Sequence, residues 1–197
     1  MIISLIARSV VRWTAGGIAL AWLGVAPAGC SDPKPPTPAA AFSVTFDKSD
    51  LLKKGGCDAE NSVVSVGYAD EKGASLVADG ENDFFIKRCG VYRERDGLRV
   101  TASLVKGSST RLSISRAWFS EADPAHGEGS VLVQGPGDAG AFESADDAPC
   151  TFRLIAGGDL GAVRVGFECP LVRIAGKVGE NGCSLSKDYL AMENCEY

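Results

Sequence analysis

A single histidine, His126, sits in the stretch EADPAHGEGS. Serine–histidine–carboxylate chemistry would have to use it as the proton carrier. No G-x-S-x-G elbow accompanies it, and a histidine in a polar loop between Pro124 and Gly127 is expected to be solvated. Ser184-Leu185-Ser186-Lys187 matches S-x-x-K, a serine-acylation motif, but neither S-D-N nor K-T-G follows it. The match reads as coincidence. Asp79-Gly80-Glu81-Asn82-Asp83 and Asp146-Asp147 are the acidic clusters. Calcium would require a spaced D-x-[DN]-x-[DN]-G loop, which neither supplies, so both read as solvated turns. The 25 acidic residues offer many pairs for a two-carboxylate glycosidase, and nothing singles out two of them. Trp118 in RAWFSEAD ends a strand and either stands at the rim as a carbohydrate or protein contact or, the favoured reading, caps the core.

Cysteine carries the more specific signal. The chain has Cys30, Cys57, Cys89, Cys150, Cys169, Cys183 and Cys195. Zinc is disfavoured because no C-x-x-C pair occurs and there is one histidine. An odd count in an exported chain calls for an explanation. Setting Cys30 aside leaves six, which can pair completely in an oxidising compartment.

The residues around Cys30 supply a reason to set it aside. Arg8 and Arg12 precede 14 uncharged residues, Trp13 to Ala26. A positive start, a short apolar run and small residues before a cut describe an export signal. The run is too short for a spanning helix, which needs about 20 apolar residues. Two cleavage readings stand. Ala26-Pro27-Ala28 suits ordinary signal peptidase, whereas Pro27-Ala28-Gly29-Cys30 resembles the bacterial lipobox, with Pro27 where an aliphatic residue is usual. The following SDPKPPTPAAA has four prolines in eleven residues, an extended, solvated tether. The expected organisation is therefore a signal over 1–29, a lipidated Cys30 with its tether over 30–41, and a body over 42–197. Plain secretion is the alternative.

That body must be built from strands. Phe42, Val44 and Phe46 alternate with Ser43 and Thr45, and the same period of two recurs around 64–68, 98–104, 112–115, 152–154 and 163–167. Apolar runs at 84–86, 131–133 and 172–174 bring the count to about nine strands with one buried face. Glycine-rich turns such as ERDG and KGSS separate them, and the 24 glycines suit that many turns. Ser49 is expected to cap a short helix over 50–54. The economical architecture is a single antiparallel all-β sandwich, with a closed barrel as the alternative. In CTFRLIAGGDLGAVRVGFEC, folding about Asp159 and Leu160 pairs 154 with 165. Cys150 then lies opposite Cys169, within disulfide reach. Pairing of either with Cys183 or Cys195 remains the other arrangement.

The lipobox, the tether and the cysteine-bounded Gly-Ala-Val-Arg-Val-Gly-Phe-Glu-Cys strand resemble small exported bacterial lipoproteins of uncharacterised function. These belong to Gram-negative bacteria of the myxobacterial type, and there is a looser similarity to mycobacterial lipoprotein-antigen sandwiches. The resemblance implies an outer-membrane anchor, with Ser31 permitting that sorting, and brings no catalytic residues. Beyond the signal there are 18 basic and 25 acidic residues, a net charge of −7. That balance disfavours nucleic acid as a partner. The expectation is a non-catalytic binding or structural module with no cofactor and no metal. It would be held to a membrane through its lipid and partnered by an envelope protein or glycan. A hydrolase using loop carboxylates or His126 is the competing class.

Overall fold

The computed structural model describes residues 36–51, 56–135, 140–159, 161–177 and 181–197. The expected signal, Cys30 and the start of the tether lie outside these residues. Apart from a 3-10 turn at Glu81–Asp83, the regular elements are all strands. Strand β1 (Ala39–Lys48) buries Phe42, Val44 and Phe46 on one face. Four short strands follow: β2 (Val63–Val66), β3 (Tyr68–Ala69), β4 (Ala74–Ser75) and β5 (Val77–Ala78). A meander comprises β6 (Phe84–Glu94), β7 (Gly97–Lys106), β8 (Thr110–Ser120) and β9 (Asp123–Gln134). The chain ends with β10 (Ala141–Ser144), β11 (Cys150–Asp159), β12 (Ala162–Ile174) and β13 (Cys183–Glu193).

One large antiparallel sheet runs in the order β2-β1-β13-β12-β10-β9-β8-β7-β6. Strand β11 also lies between β12 and β9, pairing Thr151 with both Glu168 and Glu128. Strands β10 and β11 thus fill successive parts of one place in the sheet. The sheet folds over as a sandwich around one main core. Seven of the eight phenylalanines are fully buried there, each contributing about 1.5–3 kcal/mol by leaving water. Phe46 packs on Phe142 at 5.0 Å between ring centroids, and Phe152 stacks on Phe167 at 5.6 Å. The eighth, Phe85, is one residue out of phase with Phe84 and is exposed, as a period of two requires.

Two long-range disulfides fasten the ends of the fold and a third staples a hairpin. Cys57 bonds Cys183, Cys89 bonds Cys195 and Cys150 bonds Cys169, with Cα separations of 4.7, 4.9 and 4.2 Å. The 150–169 bond sits on the expected hairpin, where Leu154 faces Val165 and Phe152 faces Phe167. After β13 the chain turns to the free edge of β6. Glu196 donates its N–H to the Cys89 carbonyl at 3.0 Å and accepts from Val91 N–H at 2.8 Å. Cys195 N–H reaches the Gly161 carbonyl at 2.9 Å. Gly161 has φ +71° and a Cβ there would lie 2.3 Å from the Cys195 carbonyl oxygen, so this junction requires glycine.

Several expectations need correction. The ordered body begins before residue 42, because Ala40 and Ala41 are fully buried and pair with Met192 and Ala191. Pro38 and Thr37 carbonyls also accept bonds, from Asp79 N–H and the Asn194 amide. Residues from Thr37 onward therefore belong to the body and not to the expected tether. The expected strands at 163–167 and 172–174 are one strand, β12, which passes through Pro170 where its register shifts. Strand β13 and the short β3, β4, β5 and β10 bring the strands among the described residues to 13. Ser49 does accept the Leu51 N–H at 3.3 Å while donating to the Pro170 carbonyl at 2.7 Å. Residues 52–54 of the expected helix lie outside the described residues.

The loops closed by the disulfides differ greatly, with sequence separations of 19, 106 and 126. On chain entropy alone, Cys150→Ala/Cys169→Ala is expected to cost about 3 kcal/mol and Cys57→Ala/Cys183→Ala about 5 kcal/mol. Urea unfolding of the two double variants checks the order, and a larger loss from the short loop would contradict it.

Candidate functional site

Strand β13 carries a bulge, and the bulge creates the site. Its core-facing residues are Cys183 and Leu185, then Asp188, Leu190 and Met192. The phase slips by one residue at Ser186-Lys187, and Lys187 takes φ +56°. On the β1 side, Ser43 faces Tyr189 while Phe46 faces Leu185, so two residues oppose three. An extra residue of this kind leaves a ladder amide without its usual acceptor. Here the Thr45 N–H donates to Asp188 Oδ1 at 2.7 Å. The other oxygen, Oδ2, is buried with no partner among the described residues. Burial pushes the Asp188 carboxyl up to about 8, with Asp47 and Glu168 adding to the rise and the Thr45 N–H opposing it. The side chain is therefore protonated at neutral pH, since desolvation disfavours the charged form.

Past the bulge, Tyr189 and Ala191 face outward. Across the sheet, Arg153 faces Gly166 and Gly166 faces Tyr189, so a glycine separates a guanidinium from a phenol. A Cβ on Gly166 would meet Arg153 Nη2 at 3.5 Å and Tyr189 Cε1 at 3.6 Å, which shows how closely both overhang it. This floor belongs to a cleft of about 200 Å³, also bordered by His126, Glu168, Lys187 and Asp188. One step along β12, Arg164 lies between Ala156 and Ala191. A second cleft of about 340 Å³ opens there, walled by Ala74, Leu76, Ala156, Arg164 and Ala191. Arg164 Nε is buried and has no partner among the described residues.

A flap borders the second cleft and reaches the first only through its ion pair with Arg153. It is the hairpin of β3 and β4, whose turn is tied by Asp70 Oδ1 accepting from Lys72 N–H at 2.7 Å and Gly73 N–H at 2.8 Å. Tyr68 donates its hydroxyl to the same carboxylate. That bond first, and the backbone N–H groups after it, hold the Asp70 carboxyl below its usual range. Gly67, at φ +64°, is the root of the flap, where a Cβ would lie 2.4 Å from the Ser75 carbonyl oxygen. Ala69 packs on Ala41 and Ala191, with Leu76 and Tyr189 alongside. The tip is held by Glu71, whose carboxylate lies 3.0 Å from Arg153 Nη1. Both side chains are about half exposed, at 62% and 48%, and an exposed ion pair is worth about 0–1 kcal/mol. The flap is therefore seated by small contacts.

The sequence-derived candidates are placed as follows. His126 is on β9 at the rim of the first cleft, its Nδ1 2.9 Å from Asp123 Oδ2. Ser184 and Lys187 lie on a strand, where three residues span about 10 Å, and Ser184 donates to the Lys48 carbonyl at 3.1 Å. The S-x-x-K match has no helix to bring its ends together. Asp79 accepts the Ile86 N–H at 2.7 Å and Asp147 lies 3.5 Å from Arg173 Nη1, so these carboxylates serve turns. No group of three or more His, Cys, Asp or Glu among the described residues is placed to hold a metal. Trp118 does not cap the core. It lies on the outer face between Arg99 and Glu128, and Phe119 is the buried neighbour. Neither cleft joins Trp118 or the 79–83 turn to His126.

Asp188 gives a pH signature. Above pH 3.8 an unfolded chain releases this proton, whereas the fold keeps it until about pH 8. The folded state thus holds more protons in that window, and stability falls as pH rises through it. Below the window this cost is absent, and above it the cost is complete. Asp188→Asn keeps an acceptor for Thr45 and cannot ionise. Its urea midpoint is expected to fall much less than the parent's between those pH limits, and parallel profiles would contradict the assignment.

No family model matches this chain, and neither a curated protein nor a solved structure shows detectable similarity to it.

Proposed function

We propose that this chain is a lipid-anchored protein of a bacterial envelope, a non-catalytic binding module whose ligand surface is the groove bordered by the β3–β4 flap. The supporting observation is the pairing of all six cysteines of the body. Three disulfides belong to a chain that matures in an oxidising, extracytoplasmic compartment. Complete pairing also means that none of the six is left to bond Cys30, which is then free to accept lipid. Two or more acyl chains, at about 0.8 kcal/mol per buried CH₂, give a stable anchor where one chain does not.

The groove supports binding over turnover by its chemistry. It combines two arginines, a tyrosine and small apolar walls, a recognition set in which few polar groups fix orientation. The hydrolase reading rests on one observation, the His126–Asp123 pair at the rim. That imidazole is 81% exposed, so water competes for the proton it would carry. Outer-membrane sorting, with Ser31 after the modified cysteine, belongs to the proposal as the placement of the anchor.

Expression of Cys30→Ala in the native host, followed by membrane fractionation, tests the anchor. The variant is expected in the soluble extracytoplasmic fraction. Its retention with the membrane like the parent would overturn the proposal.

A further inference from the structure

The two arginines of the groove have different partners, and the difference identifies a ligand class. Arg153 and Gly166 are register partners, and Gly166 and Arg164 are two apart on β12, so both arginines lie on one face of the sheet. Arg153 leans over Gly166 toward β12 and is met by the Glu71 carboxylate of the flap. Arg164 has its Nε buried beside Ala156 and Ala191, with no acceptor among the described residues. A buried donor of a permanent cation is costly to leave unmade. An apolar residue among those alanines would avoid the cost.

We propose that the groove binds a peptide C-terminus ending in a small aliphatic residue, with Arg153 and Arg164 receiving the carboxylate and Glu71 standing in its place until the ligand arrives. Three features of the site select this class. Planar guanidinium groups match a carboxylate in paired hydrogen bonds. The cleft at Arg164 is walled by Ala74, Leu76, Ala156 and Ala191 and has a volume of about 340 Å³, room for a methyl or isopropyl group and the backbone beside it. The adjoining cleft, with Tyr189, Lys187 and Glu168 at its edge, continues the groove along the sheet for the preceding residue. Among the described residues, the flap that carries Glu71 is seated by an exposed ion pair and by the contacts of Ala69 with Ala41 and Ala191, beside Leu76 and Tyr189. A ligand carboxylate therefore exchanges one charge-assisted bond for another at Arg153, gains the unmet donor of Arg164, and lifts the flap tip at little cost. Ligand and flap thus compete for one cation.

This inference rests on the groove being the binding surface, and it is independent of Cys30, so the anchor and the ligand class can fail separately. The test is calorimetric titration of the full chain, disulfides intact, with N-acetyl-alanyl-alanine and with its C-terminal amide. The acid is expected to bind at least about tenfold more tightly than the amide, the worth of one charged hydrogen bond. Arg153→Gln, an exposed substitution that leaves the core untouched, is expected to weaken the acid by a similar factor. Glu71→Gln is expected to tighten it about two- to fivefold by removing the competitor. Equal binding of acid and amide, or no binding of either at millimolar concentration, would overturn the ligand class. Weaker binding by Glu71→Gln would overturn the role given to the flap.

Discussion

The Thr45 amide and the Asp188 carboxyl meet across a bulge between β1 and β13, inside the sheet, and much else follows from that meeting. Strand β13 lies between β1 and β12, so a phase error in it would turn apolar side chains out on one side and polar ones in. With the extra residue in place, Leu190 and Met192 reach the core while Tyr189 and Ala191 take the opposite face, where the flap covers Ala191. Had the first alternation of β13 simply continued, Tyr189 and Ala191 would have pointed inward. The bulge would leave an orphan amide, and Asp188 answers it with a side-chain oxygen. The carboxyl is buried, and burial keeps it protonated. One hydrogen bond is therefore linked to the sheet register, to the floor of the groove and to the pH dependence of stability.

The rest of the molecule protects that arrangement from its edges. A long antiparallel sheet exposes unpaired amides at its two ends. At the β6 end the chain after β13 supplies a short parallel bridge and the Cys89–Cys195 bond. At the other end, the start of β13 is fastened by Cys183 to Cys57 in the segment following β1. Both long-range disulfides thus attach to β13 or its immediate tail. The strand that sets the phase is also the strand most heavily tied, and the flap rests on the face it presents.

Elements with unbroken alternation are legible from residue types alone. The β11–β12 hairpin is readable because Phe152 and Leu154 keep one phase and Val163, Val165 and Phe167 keep the other, with glycines marking the turn. Its disulfide follows from the register. Strand β13 hides because Cys183 and Leu185 are in one phase and Leu190 and Met192 in the next, with an aspartate, an ionisable residue type, at a buried position between them. A strand of mixed phase looks like a loop. Arg153, Arg164 and Tyr189 escape notice for a related reason: outward residues of ordinary strands acquire meaning only when neighbouring strands align them. Ala39 to Ala41 read as tether because alanine is compatible with both a proline-rich linker and a tightly packed strand, and only the apposed Ala191 and Met192 decide between them. Trp118 stands one residue out of phase with the core, Phe119 being the inward one.

The central claim is that a protonated Asp188 accepts the Thr45 amide proton at the bulge of β13. The most direct measurement is the pH titration of the Thr45 backbone amide resonance by heteronuclear NMR. The account predicts a slowly exchanging amide whose shift moves with a midpoint near 8, the value to which burial raises the Asp188 carboxyl. An amide that exchanges freely, or one whose shift titrates in the ordinary carboxylate range, would contradict it.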